Sequence, residues 1–323
     1  MPIEQESSTE KSEAAAALGK RLSGFETEEG RLRGLDFVPG PRDIGISTTP
    51  KAGTTWMQQI CHQLRSTKSQ MEFEEISEVV PWIELAHDLD QDLSAPQFGD
   101  EQNELRFFKT HAWADHCPKF AKTIVVMRDP HDVLLSFFKF FENWFFEPGE
   151  MSLDVFAKEF FLARDVPQSK MQNASYFVHL VSWFQRRNDD DVLIVFFEDM
   201  KQDLRREITR VANFLSTTDP RYKDPQRIHN AFVHSTYDFM KKHSYHFDEK
   251  LTKRKRNEAC GLPKDAGLRD SKIRRGLSGV GADSLSPEIR SGIAEKWRAQ
   301  VFPVTGCASY DELRRKFGAA VDT

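Results

Sequence analysis

At 323 residues, 39% hydrophobic and 29% charged, the chain reads as a soluble globular protein long enough for one large α/β domain or two small ones. Its 45 Lys and Arg residues against 50 Asp and Glu leave a net charge of −5, which excludes bulk attraction to nucleic acid or an anionic membrane. Any anion binding must therefore be local. The 26 phenylalanines against 5 tyrosines point to an aromatic core, an apolar ligand pocket, or both. Four scattered cysteines, Cys61, Cys117, Cys260 and Cys307, form no CxxC pair and accompany no His cluster, the pattern of a reduced, cytoplasmic protein without structural zinc or other metal.

Residues 1–24 are polar and Ala-rich, lack the apolar stretch of a signal peptide, and are expected to be mobile, with the folded domain at 25–323. No run reaches the roughly 18 apolar residues of a transmembrane helix. After the Pro/Gly-punctuated Leu35–Arg42, the β-branched run Ile44–Thr48 predicts a buried strand, and Trp56, Ile60 and Leu64 fall on one helical stripe. Between them lies Thr49-Pro50-Lys51-Ala52-Gly53-Thr54-Thr55. A strand that turns directly into a helix through such a loop aims unpaired N–H groups and the positive end of the helix dipole at one spot, and Lys51 adds a full charge. A Walker A loop, GxxxxGK[ST], would place Lys after the final Gly, whereas Lys51 precedes Gly53. Taken whole, TTPKAGTTW resembles the 5′-phosphosulfate loop of the cytosolic sulfotransferases, YPKSGTTW, with Thr49 for the aromatic and Ala52 for the Ser. The resemblance implies that Lys51, Ala52, Gly53, Thr54 and Thr55 grip 3′-phosphoadenosine 5′-phosphosulfate (PAPS), with Trp56 against its adenine.

The acidic stretch Glu72–Gln97 is irregular; Trp82 within it reads as a packing anchor or as part of a substrate pocket. Leu105–Trp113 predicts a second strand whose polar end, Lys109-Thr110-His111, would share an edge with Lys51. The triplet is similar to the KTH that carries the family's catalytic histidine, which implies His111 as general base and Lys109 with Lys51 as the neutralising cations. Thr123–Met127 predicts a doubly covered parallel strand, followed by an Asp129-Pro130 helix start. RDPHDVLLS resembles the family's RNPKDVLVS, so Arg128 and Ser136 are implied as 3′-phosphate ligands. Phe137, Phe138, Phe140, Phe141, Phe145 and Phe146 then crowd one helix, divided between core and pocket.

Tyr176–Phe184 predicts an amphipathic helix and Val192–Phe197 a buried strand. The strand ends in Glu198-Asp199, which reads either as a magnesium site or as the family's FYEDM segment with Phe197 packing on adenine. Leu204, Ile208, Val211, Ala212 and Leu215 form the core stripe of a further helix. His234-Ser235-Thr236-Tyr237 resembles the family's adenosine segment, with Ser235 as the hydroxyl; Lys250–Arg256 reads as a solvated basic face. Lys272–Gly279 resembles the RKGxxGDW loop, which implies Arg274, Arg275 and Gly276 at the 3′-phosphate, although Val280-Gly281 replaces Asp-Trp. The family's dimer motif, KxxxTVxxxE, is missing from Ala282–Ser291, so a homodimer stays open.

Together these segments predict one α/β domain with a central parallel sheet. They imply in-line sulfonate transfer from PAPS to a hydroxyl or amine of a small, apolar or aromatic acceptor, without metal. A magnesium-dependent P-loop kinase, a non-catalytic nucleotide-binding protein and a sulfonation-driven elimination are the alternatives. The acceptor itself is not readable from the sequence.

Overall fold

In the computed structural model, residues 6–97, 104–273, 279 and 281–318 are described. Four parallel strands form the centre: β1 (Asp43–Thr48), β2 (Arg106–Thr110), β3 (Lys122–Met127) and β4 (Val192–Phe196), in the order β2-β1-β3-β4. The registers Ser47↔Thr110 and Thr48↔Val126 bring the carboxyl ends of the first three strands level. Ligands in open parallel sheets collect at that edge.

Alternation along β3 shows why the sheet needs cover on both faces. Val125 and Met127 join one core with Phe138, Phe177 and Trp183, whereas Ile124 and Val126 join the other with Ile60, Leu64 and Leu215. Helices supply both covers. In chain order they are α1 (Glu6–Ser23), α2 (Glu28–Leu35), α3 (Thr54–Leu64), α4 (Ile76–Val79), α5 (Pro130–Trp144), α6 (Leu153–Phe156), α7 (Tyr176–Gln185), α8 (Phe197–Gln202), α9 (Leu204–Ser216), α10 (Pro225–His234), α11 (Tyr237–Lys242), α12 (Lys250–Arg256), α13 (Pro287–Lys296), α14 (Phe302–Thr305) and α15 (Tyr310–Phe317). Local signals account for their starts: Asp129 caps α5 ahead of Pro130, Ser175 caps α7, and Ser286 caps α13 ahead of Pro287. The stripe Ile208, Val211, Ala212 and Leu215 of α9 is fully buried, as its period predicts.

Two segments differ from the sequence expectation. Residues 6–23 form α1, and Leu18 is buried in the α5 core, so the polar amino-terminal stretch carries an apolar stripe that a tertiary partner recruits. Lys250–Arg256 is a docked helix rather than a solvated face. Leu251, Thr252 and Lys253 are buried, and Arg256 donates from Nε to the Phe25 carbonyl (2.9 Å) and from Nη2 to that of Gly24 (2.8 Å). No helix among the described residues is long and apolar enough to cross a membrane.

Candidate active site

The β1–α3 turn is built on left-handed backbone. Lys51 has φ 72° and Gly53 φ 112°, and a Cβ on Gly53 would lie 2.8 Å from the Phe197 ring. Both conformation and space thus require glycine there. Gly53 also offers no side-chain cap, so the first-turn N–H groups of α3 lack the acceptor that Asp129, Ser175 and Ser286 give their helices. Thr48 Oγ1 and Thr54 Oγ1 lie 2.6 Å apart across the turn, and Lys51 Nζ sits 3.9 Å from the centroid of Phe140. Ala52 is fully buried beneath the loop.

His111 stands just past β2, level with this loop. Its backbone N–H and the Thr110 hydroxyl both donate to Glu84 Oε1, at 2.7 and 2.9 Å. Its Nδ1 is 2.8 Å from the Thr48 carbonyl, which can only accept. That bond fixes the proton on Nδ1 and leaves Nε2 with a bare lone pair. Burial first, and the charge of Lys109 next, hold the His111 pKa well below its ordinary value. The ring packs edge-on against Trp82 (4.9 Å), whose face carries Lys109 Nζ at 3.6 Å. Trp82 is set by pairing with the β2 edge, where Lys109 N donates to the Pro81 carbonyl at 2.8 Å. It lines the cavity, the second of its two sequence readings.

A charged cluster that sequence reasoning missed lies beside these groups. Glu249, at the left-handed start of α12 (φ 56°), is buried; it pairs with Lys272 and stands 4.0 Å from Lys109 Nζ. Burial pushes its pKa up, but Lys272 and Lys109 outweigh that and hold the carboxylate ionised. Burial lowers Lys109 to about 8. Glu75, raised by burial and by the neighbouring Glu249 charge, accepts from the Leu251 and Thr252 amides and so fixes the start of α12. Nothing local in the sequence marks Glu249 or Lys272 as partners of Lys109, because their meeting depends on where α12 docks.

On the nucleotide side, Arg128 Nη1 donates to the Lys51 carbonyl at 3.1 Å, and its guanidinium lies 4.3 Å from the Phe197 centroid. Phe197 and Trp56 meet edge to face at 5.5 Å and 71°. Trp56 donates from its indole to the Ser235 carbonyl at 2.7 Å. Ser235 is fully buried and does not line the cavity; Tyr237, Met240 and Lys241 of the same segment do. Ser136 lines the cavity two turns into α5. Arg274, Arg275 and Gly276 lie outside the described residues. Gly279 and Gly281 beside them each donate a backbone N–H to the Asp132 carboxylate at 2.9 Å. A Cβ on Gly281 would fall 2.5 Å from the Asp132 nitrogen, so the residue in place of the usual Trp lets the chain lie against the start of α5.

Glu198 accepts from the Asp129 amide (3.2 Å) and the Tyr310 hydroxyl (2.6 Å), while Asp199 pairs with Arg314 (2.7 Å). These acids join β4 to α15, which accounts for them structurally and removes the support for a magnesium reading. Among the described residues no group of three or more His, Cys, Asp or Glu side chains converges as a metal site.

All of this opens into one cavity of about 1830 Å³. Single-ligand pockets span about 300–1,000 Å³, so there is room for a nucleotide and a second molecule. Its lining combines a polar group, Lys51, Gly53–Trp56, Arg128 and Ser136 with Phe197, and an aromatic wall of Phe25, Trp82, Phe137, Phe138, Phe141, Trp144, Phe145 and Phe160. The first group fits PAPS by its donor set: uncapped amides and Lys51 for an anion, Arg128 for a phosphate, and the Trp56–Phe197 pair as an aromatic surface for a base.

Such a sheet edge defines an anion-transfer enzyme without a Walker lysine. Residues 41–313 match the family model described as a sulfotransferase domain. Sulfotransferase 1E1 of Homo sapiens is 27% identical over 234 residues, 67% of this chain and 76% of that protein. Human sulfotransferase 2A1 is 26% identical over 222 residues, 68% of this chain and 73% of that one. Retinol dehydratase in complex with androsterone and the inactive cofactor PAP shares the fold, with a TM-score of 0.60 at 18% identity over 84% of each chain. Mouse sulfotransferase SULT7A1 complexed with PAP does so at 0.58 and 20% identity, over 86% of this chain and 91% of that one. The chain belongs to the sulfotransferase family, and PAPS-dependent sulfonate transfer is its reaction.

Proposed function

We propose that His111 is the general base for an apolar, aromatic acceptor bearing a hydroxyl (or amine), in a transfer steered by Lys51 and Lys109. The observation that carries this reading is the Nδ1 bond to the Thr48 carbonyl, which leaves Nε2 as a neutral acceptor on a residue lining the cavity. Bound PAPS supplies an activated sulfonate. His111 Nε2 takes the acceptor proton as the acceptor oxygen attacks sulfur. Lys51 and Lys109 offset the charge that gathers on the sulfonate and on the departing phosphate oxygen. Gly53, Thr54 and Thr55 hold the 5′-phosphate through the uncapped turn of α3. Arg128 and Ser136 hold the 3′-phosphate, and the motif assigns Arg274, Arg275 and Gly276 to the same group. Trp56 and Phe197 pack against the adenine, and the Ser235 carbonyl holds the Trp56 indole in place. The phenylalanine wall excludes water and favours an apolar acceptor.

His111→Ala is expected to abolish transfer of radiolabelled sulfonate while calorimetric affinity for 3′-phosphoadenosine 5′-phosphate (PAP) stays within about threefold, under 1 kcal/mol. Near wild-type turnover in that variant would exclude His111 as the base. Four unpaired cysteines, three of them buried, support a reducing, cytoplasmic location. Recovery of the protein in a membrane or secreted fraction would contradict that assignment.

A further inference from the structure

Arg164 lines the same cavity as His111, its guanidinium rests 4.0 Å from the centroid of Phe160, and with Phe160 it also borders a small pocket against Thr49 and Pro50. A run of ring contacts joins His111 to Phe160. His111 meets Trp82 at 4.9 Å, Trp82 meets Phe25 at 5.7 Å, and Phe25 meets Phe145 at 5.9 Å. Phe145 meets Phe141 at 5.0 Å, and Phe141 meets Phe160 at 5.3 Å. Five ring contacts separate the two residues along this wall, so an acceptor with its hydroxyl at His111 would meet Arg164 through another part of the molecule.

That guanidinium makes no hydrogen bond or ion pair with any described residue. Glu26 and Asp165, which line the same cavity, are engaged elsewhere. Glu26 holds Arg31 through both oxygens at 2.9 and 3.1 Å. Asp165 accepts from Gln300 Nε2 at 2.9 Å and pairs with Lys296 at 3.3 Å. Burial, with Arg31 adding repulsion and Glu26 only partly offsetting it, draws the Arg164 pKa down to about 10, as expected of a cation set among rings. A half-buried guanidinium in that position gains most from an anion it can grip through two parallel bonds.

We propose that Arg164 recognises an anionic group, a carboxylate in the first instance, carried by the acceptor apart from its hydroxyl. This rests on the sulfotransferase reading of the same cavity and narrows its substrate class to hydroxylated aromatic acids.

The test compares 4-hydroxyphenyl alkanoates of graded chain length with their methyl esters as acceptors, alongside PAP calorimetry on every protein. With wild type, the acid at the best chain length should exceed its ester in kcat/KM by roughly tenfold or more, the worth of one charge-assisted hydrogen bond. Arg164→Gln should bring that ratio to near one by raising KM for the acid, and Arg164→Lys should recover part of it. PAP binding within twofold of wild type in both variants shows that the fold is intact. Esters matching acids on wild type, a preference that survives Arg164→Gln, or no turnover of either series by a protein that binds PAP would each overturn the proposal. Failure of the wild-type chain to bind PAP would instead overturn the underlying sulfotransferase reading.

Discussion

At the scale of the residue, the Thr48 carbonyl decides what His111 can do. Because that oxygen holds the Nδ1 proton and burial suppresses a second one, the ring stays neutral to well below pH 6.5. Lys109 behaves in the opposite sense: its charge is lost as pH rises through about 8. The profile of kcat/KM, which reports the free enzyme, should therefore fall on the alkaline side near pH 8 and stay flat below neutrality to well under pH 6.5. The Lys109→Arg variant should lose the alkaline limb while keeping the acid one. Stability follows the same protons. The unfolded chain protonates its histidine near pH 6.5 while folded His111 does not, so this contribution is present above that pH and lost as pH falls below it. Gly53→Ala forces a side chain onto φ 112° and against Phe197, and should destabilise the protein by about 1–3 kcal/mol in urea titration. It should also weaken PAP binding, since the same turn aims the α3 amides.

At the scale of the element, docking of α12 assembles the site from parts far apart in the chain. Its start places Glu249 between Lys109 and Lys272, while Arg256 near its end grips the carbonyls of Gly24 and Phe25. Leu22 and Phe25 in turn line the cavity. Arg256→Ala should therefore raise KM for the acceptor severalfold and leave PAP affinity unchanged, as measured by initial rates and calorimetry. Equal loss of both would mean that α12 supports the whole domain rather than the acceptor wall. The Asp132 bonds to Gly279 and Gly281 give the next loop an anchor on α5 in place of the family's Asp-Trp.

At the scale of the whole molecule, one cavity with room for a nucleotide and an acceptor lies above a four-stranded sheet, so ligand binding there and global stability are linked. PAP at a hundred times its Kd should stabilise the fold by about 2.7 kcal/mol. Thermal unfolding with and without EDTA checks this: a Tm rise of several degrees, equal in both, is expected. A rise that needs magnesium would revive the kinase alternative.

The strands, the α3, α5 and α9 stripes and the strand-to-helix loop around Gly53 were legible in the chain alone, because each rests on neighbours within a few residues. Similarity to known motifs also brought Lys51, Lys109, His111 and Arg128 to one edge, which the parallel registers of β1, β2 and β3 now place level. Only the tertiary structure decided the order β2-β1-β3-β4, the docking of α1 and α12, the Glu249–Lys272 pair and the position of Arg164. Periodicity records which face of an element is apolar but not which partner covers it. Buried charge pairs leave no periodic trace at all: the attraction that fixes them acts only once folding has removed the water between residues that are distant in sequence.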